Sequence, residues 1–239
     1  MAPHAAVAGA LHALRRRTWR RPEWPWVALA GAAWLALIAG AALAPAGAGH
    51  GAHELGIGMW ALMVVAMMLP GEILVLRAIS FDSMWHRRLR SPLLFLAAYL
   101  GVWIAFGALA LGAWQLAGSL GAGHAIHSAA ATGALLMIAA NWQLAPLHRR
   151  QLTRCHRTPA LAPHGRPADR GCVRYGLFHA RQCVGVCWPL MLATIPGHGI
   201  ALMLALTLLT TWERVARRPR RELLAGVLGA LAVVVMLAG

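Results

Sequence analysis

Seven apolar stretches, at about 25–45, 57–79, 92–117, 126–147, 175–196, 199–213 and 222–238, alternate along the chain with short polar breaks. Most approach the ~20 residues that an α-helix needs to cross a hydrocarbon core. The last two are shorter, and the fifth and sixth can close into one tight hairpin around Pro196, Gly197 and Gly199, which would leave six crossings. The pattern predicts an all-α fold, a polytopic transmembrane helix bundle of about seven helices, with six as the alternative count.

The basic residues then orient the bundle, because arginine resists translocation and stays in cytoplasmic loops. Five arginines precede the first stretch, four (Arg77, Arg87, Arg88, Arg90) follow the second, seven lie from Arg149 to Arg174 and five from Arg214 to Arg221. The breaks at 46–56, 118–125 and 196–199 hold none, and the one remaining arginine, Arg181, lies near the start of the fifth stretch. Alternate loops therefore lie on opposite sides, with the N-terminus inside and the C-terminus outside. This divides the chain into a basic cytoplasmic segment at 1–24 and a single transmembrane helical domain at 25–239, whose loop 148–174 is cytoplasmic. Pro45, just after Ala-Leu-Ala, argues against reading the first stretch as a cleaved signal peptide.

Composition agrees with lipid: 59% of the 239 residues are hydrophobic and 12% charged, and the mean hydropathy is +0.60. The net charge of +15 would suggest nucleic acid if it were gathered on one face. It is instead dispersed in runs between apolar stretches, so the expected partner is the bilayer, not nucleic acid. The localisation this implies is a bacterial inner membrane, in a multi-pass arrangement.

Candidate chemistry is densest on the fifth stretch, where His179, Cys183 and Cys187 recur every four residues and share one helical face. Thiolate and imidazole are the donors that Cu(I) and Zn(II) prefer, and donors one turn apart can grip one ion. Pro189 removes an intrahelical bond and frees the carbonyl of Gly185, whose missing side chain also permits close packing. On the second stretch Met59, Met63 and Met67 repeat the same spacing, a thioether stripe that serves equally as apolar filler or as a path for a soft ion. Glu72 follows as a carboxylate at membrane depth, which requires an interior partner. Glu72, Asn141, Gln143, His179, Cys183, Thr210 and Glu213 all fall at one depth, in the cytoplasmic half, which suggests a shared interior site.

The outer loops carry His50, His53, His124, His127 and His198 beside Glu54 and no arginine. The spacing of His50 with His53, and of His124 with His127, lets both rings of a pair meet one ion, so these loops are candidates for metal capture. In the loop at 148–174, Cys155, His156, His164 and Cys172 show no zinc-site spacing.

Met59 to Pro70 (MWALMVVAMMLP), Gln143 to Pro146 (QLAP) and Cys183 to Met191 (CVGVCWPLM) resemble the bacterial family of predicted metal-binding integral membrane proteins, the domain-of-unknown-function 2182 family. Some of its members carry a copper-chaperone label. The resemblance covers most of the chain after residue 55 and implies membrane residence and metal handling. The family pattern has paired cysteines before the tryptophan and two cysteines after the QxxP motif. Here Val186 and Gln151 replace one of each, while Cys183, Cys187 and Cys155 occupy the remaining positions.

These readings converge on a non-enzymatic protein that binds, transports or delivers a soft metal ion, copper first and zinc second. Its candidate ligands are His179, Cys183, Cys187, Met63, Met67, Glu72 and Gln143 in the bundle, with His50, His53, His124, His127 and His198 outside. Two alternatives stay open. One is a membrane thiol oxidoreductase using Cys183 and Cys187, although three intervening residues suit a redox dithiol poorly. The other is a structural subunit of a membrane complex, or a homo-oligomer, packed through small residues such as Gly226 and Ala230.

Overall fold

A computed structural model describes residues 21–43, 56–122, 128–196, 199–216 and 220–238, and within them each apolar stretch carries an α-helix. In chain order these are α1 (Trp24–Leu43), α2 (Ile57–Asp82), α3 (Arg90–Ala117), α4 (Ala129–Leu144), α5 (Pro146–Cys155), α6 (Gly165–Ala193), α7 (Ile200–Val215) and α8 (Arg221–Ala238). No strand occurs among the described residues. Four helices, α1, α2, α3 and α8, are each long and apolar enough to cross a membrane, and the bent pair α4–α5 makes a fifth candidate. The 16-residue α7 and α6, with His179, Arg181 and Gln182 in its middle, are not among them. α7 is too short, and α6 carries basic residues through its first half and turns His179 into the bundle.

The stretch at 148–174, read as a connection between spans, is largely helical. Pro146 supplies the preset φ of a first helical residue and opens α5. His148, Leu152 and Cys155, at i, i+4 and i+7, then form its buried face. α5 leaves the line of α4 at 75°. α6 begins ten residues before the apolar stretch, and Ala168, Cys172, Tyr175 and His179 continue one buried stripe through the arginines between them. Hydropathy averaging misses both segments because their exposed faces are basic.

α6 runs against α3, α4 and α5, while α2 lies against α1, α3 and α7, and α8 covers α4. The α2–α3 seam is fixed by Trp60, whose indole donates to the carbonyl of Trp103 at 3.0 Å, and whose ring fills the space a side chain on Gly107 would need. Arg87 and Arg90 both engage Asp169, which ties the start of α3 to the start of α6.

Gly176 sets the α3–α6 spacing, because a Cβ there would run into the backbone carbonyl of Phe95, which cannot yield as a flexible side chain can. Replacing Gly176 with alanine should therefore destabilise the bundle by about 1–3 kcal/mol. Gly101→Ala, on α3 where a Cβ meets nothing within 4 Å, should be neutral or slightly stabilising. Thermal unfolding of the detergent-solubilised variants checks the pair, and equal midpoints would refute the close-contact account.

Candidate functional site

The face formed by His179, Cys183 and Cys187 points into the bundle: the three residues are 3%, 0% and 1% exposed. α3 supplies one wall, because Phe95 and Tyr99 stand one turn apart on the side that meets α6. With Tyr175 they surround the His179 imidazole, at ring-centroid distances of 5.6 Å for Phe95 and Tyr175 and 6.1 Å for Tyr99. The Tyr99 hydroxyl lies 3.0 Å from Cys183 Sγ. α2 supplies Glu72, fully buried, whose Oε2 is 2.7 Å from His179 Nε2. The carboxylate thus has the interior partner that its depth requires.

α5 and α7 complete the cluster with two residues that sequence reasoning did not place there. Cys155, the last residue of α5, brings its Sγ to 3.6 Å from His179 Nε2 and 3.9 Å from Nδ1. Arg214, on the last turn of α7, reaches inward. Its guanidinium bonds Glu72 through one terminal nitrogen and Cys183 through the other, and the second nitrogen also stands 3.7 Å from Cys187 Sγ. A fixed fork of donors is suited to hold a carboxylate and thiols together. All four cysteines are free thiols. A cavity of about 130 Å³ opens onto the cluster past Glu72, Cys155, His156, His179 and Arg214.

α6 is braced where these donors sit. Pro189 lies inside the helix without ending it, and the carbonyl of Gly185, four residues earlier, accepts a bond from the Trp142 indole at 3.0 Å. Trp142 also meets Trp188 edge-on at 5.6 Å. Gln151 of α5 packs directly onto Gly185, in space that any side chain at that position would occupy.

The polar groups expected to share one site fall into two clusters. Glu72, His179, Cys183 and Cys187 join as described. Gln143 instead bonds Glu213, Nε2 to Oε2 at 3.3 Å. Asn141 is exposed and bonds within its own helix, to Met137, and Thr210 likewise bonds Thr207. Met63 and Met67 are 1% exposed in the core, while Met59 at the head of α2 is 40% exposed. At a rise of 1.5 Å per residue, Met67 and Met63 stand about 7 and 13 Å along the axis from Glu72. Cys172 is buried away from the thiol cluster, on the lower turns of α6. His50, His53, His124, His127 and His198 lie outside the described residues.

As they stand, no three His, Cys, Asp or Glu side chains among the described residues are gathered closely enough to hold an ion. The donors lie around a guanidinium instead. Chemically the cluster offers three thiols and one imidazole, with a carboxylate and a phenol beside them, in a site where the positive charge is supplied by Arg214.

The family model described as PpoB2, copper chaperone, matches residues 57–238. No curated protein and no solved structure gives a match. The matched region contains every element of the cluster, from Glu72 on α2 to Arg214 on α7, and the chain belongs to that family.

Proposed function

We propose that the protein binds Cu(I) at Cys155, His179, Cys183 and Cys187 inside the helix bundle and hands it on as a carrier or chaperone, without chemical turnover. The observation that supports this most directly is the gathering of three buried thiols and an imidazole from α5 and α6 in one cluster with Arg214, with Cys155 and His179 lining the adjoining cavity. Thiolate, imidazole and thioether are the donors a soft ion selects over the harder ions of the cell. The spacing also suits an ion. Sulfur and nitrogen bound to one ion at about 2.3 and 2.0 Å in tetrahedral geometry stand about 3.5 Å apart, and Cys155 Sγ and His179 Nε2 are separated by 3.6 Å.

In this reading Arg214 is the positive charge of the ion-free state. It occupies the region between the carboxylate and the thiols, and it must withdraw as Cu(I) enters. A larger cavity of about 740 Å³, bordered by Arg149, His156, Arg214, Arg220 and Arg221, adjoins it and gives the side chain somewhere to go. On the positive-inside reading of the arginine-rich ends, both cavities would face the cytoplasm. Met67 and Met63 continue toward the opposite face, where the histidines of the outer loops would meet the ion. Zn(II), which takes the same donors, is the second candidate.

Anaerobic titration of the full-length protein with Cu(I), against a chromogenic Cu(I) chelator as competitor, tests the assignment. One tightly held equivalent is expected, with affinity weakened at least about tenfold in C155S and further in C183S/C187S, since losing even supporting groups of a metal site costs 10–100-fold. Stoichiometry and affinity unchanged in the double variant would reject the site.

A further inference from the structure

Gln143, His148 and Glu213 form a second buried cluster that the thiol site does not use. They come from α4, α5 and α7 and are 3%, 0% and 2% exposed. The break between α4 and α5 creates the arrangement: Ala145 and Pro146 turn the chain by 75°, so Gln143 and His148 sit on the two arms of a bend. Glu213 on α7 meets both, with its Oε2 accepting from Gln143 Nε2 at 3.3 Å and its Oε1 3.6 Å from His148 Nε2. Its neighbour Arg214 turns the other way, toward Glu72 and the thiols.

Four atoms of this cluster have no hydrogen-bond partner: Gln143 Oε1, His148 Nδ1 and Nε2, and Glu213 Oε1. Each such buried atom is destabilising if nothing takes it up. Of these, His148 Nε2 and Glu213 Oε1 face each other at 3.6 Å without closing a hydrogen bond, which is the pattern of a ligand site, because buried polar groups are otherwise paired within the protein.

We propose that Gln143, His148 and Glu213 form a second cation site, built of nitrogen and oxygen donors, that takes a borderline divalent ion of the Zn(II) class. Imidazole is a poor ligand for Mg(II) or Ca(II), which take oxygen, and the three residues hold no sulfur to favour Cu(I). An imidazole nitrogen and a carboxylate oxygen on one tetrahedral ion at about 2.0–2.1 Å stand about 3.4 Å apart, close to the 3.6 Å between His148 Nε2 and Glu213 Oε1. Turning the Gln143 amide over would bring its oxygen to the ion as a third donor, and a fourth position stays open for water or exchange. The charge of Arg221 reaches His148 through space and opposes a doubly charged ion, so binding is weak and exchangeable. Glu213 and Arg214 are consecutive on α7, which links occupancy of this site to the guanidinium at the thiol cluster.

Co(II) serves as the probe because its spectrum reports ligand type. Titrating the full-length protein with Co(II) should give one equivalent with weak visible d–d bands, displaced by Zn(II), and without the intense near-ultraviolet band of sulfur-to-cobalt charge transfer. H148A and E213Q should each weaken binding at least about tenfold. Glutamine at position 213 has the shape of the native side chain and can still bond Gln143, and both variants must elute as the wild type does and retain Cu(I) binding. The proposal is overturned by a wild-type protein without these bands, by a sulfur-to-cobalt band that C183S removes, or by a spectrum that H148A and E213Q leave intact, in which case the outer histidines carry it. Loss of Cu(I) binding beside an intact Co(II) spectrum would instead reject the thiol assignment and leave this one standing.

Discussion

Replacing Glu72 with alanine should lower the thermal midpoint of the protein by roughly 6–20 °C, a range that follows from a loss of about 3–5 kcal/mol and a shift of about 2–4 °C per kcal/mol in a chain of this size. The cause is local. The carboxylate is fully buried and holds two partners, His179 through Oε2 at 2.7 Å and Arg214 through Oε1. Alanine leaves a guanidinium with 8% side-chain exposure and no carboxylate beside it. Removing one partner of a buried pair costs far more than the pair contributes, because the surviving charge keeps its full desolvation penalty. Against a total stability of about 5–15 kcal/mol this is a large fraction. Glu72→Gln retains oxygen and shape but not charge and should fall between the two, while Leu74→Ala, two residues away and 58% exposed, should barely move the midpoint. Melting curves of the three variants in one detergent decide it, and an E72A midpoint within a degree or two of wild type would show that Arg214 is solvated independently of Glu72.

The helices at the apolar stretches were legible because a hydrophobic run of span length has few alternatives to a helix, and the inward stripe of His179, Cys183 and Cys187 followed from period alone. Pro189 was informative as well: the carbonyl it frees on Gly185 is the one the Trp142 indole takes. What the chain did not reveal has a common origin in long-range contact. Cys155 lies 24 residues before His179, on a short basic helix that resembles a solvated loop in any average over neighbours. Its buried positions are His148, Leu152 and Cys155, of which only two are apolar, too few for a period to stand out among the arginines of 146–155. Tyr99 carries no polar neighbour in sequence to mark it. Arg214 was counted among the topology signals, because an arginine one turn from the end of a span looks the same whether it extends to headgroups or folds back. Depth sets Gln143 and Glu213 level with Glu72 and the thiols, yet depth along the bilayer says nothing about direction around the bundle. That direction separates their cluster from the thiols.

Arg214→Gln should raise the affinity for Cu(I) and the rate of loading, each by roughly 10–100-fold, because the ion no longer competes with a resident cation. The magnitude is that of losing one or more charge-assisted hydrogen bonds, about 1.5–3 kcal/mol each, converted at 1.4 kcal/mol per tenfold. The same substitution lowers the stability of the ion-free protein, since Glu72, Cys183 and Cys187 lose the charge that they share. Cu(I) then restores what the guanidinium supplied. The rise in thermal midpoint on loading should thus be larger in the variant than in the wild type, which follows from binding that acts on the folded state alone. Arg214→Lys keeps the charge but loses the planar fork that spans carboxylate and thiol together, and it should load at an intermediate rate. Chelator competition and stopped-flow loading measure both quantities. If R214Q instead weakens Cu(I) binding as severely as C183S/C187S does, the arginine is what holds the thiols in place for the ion, and a guanidinium that yields to the metal is the wrong description of the site.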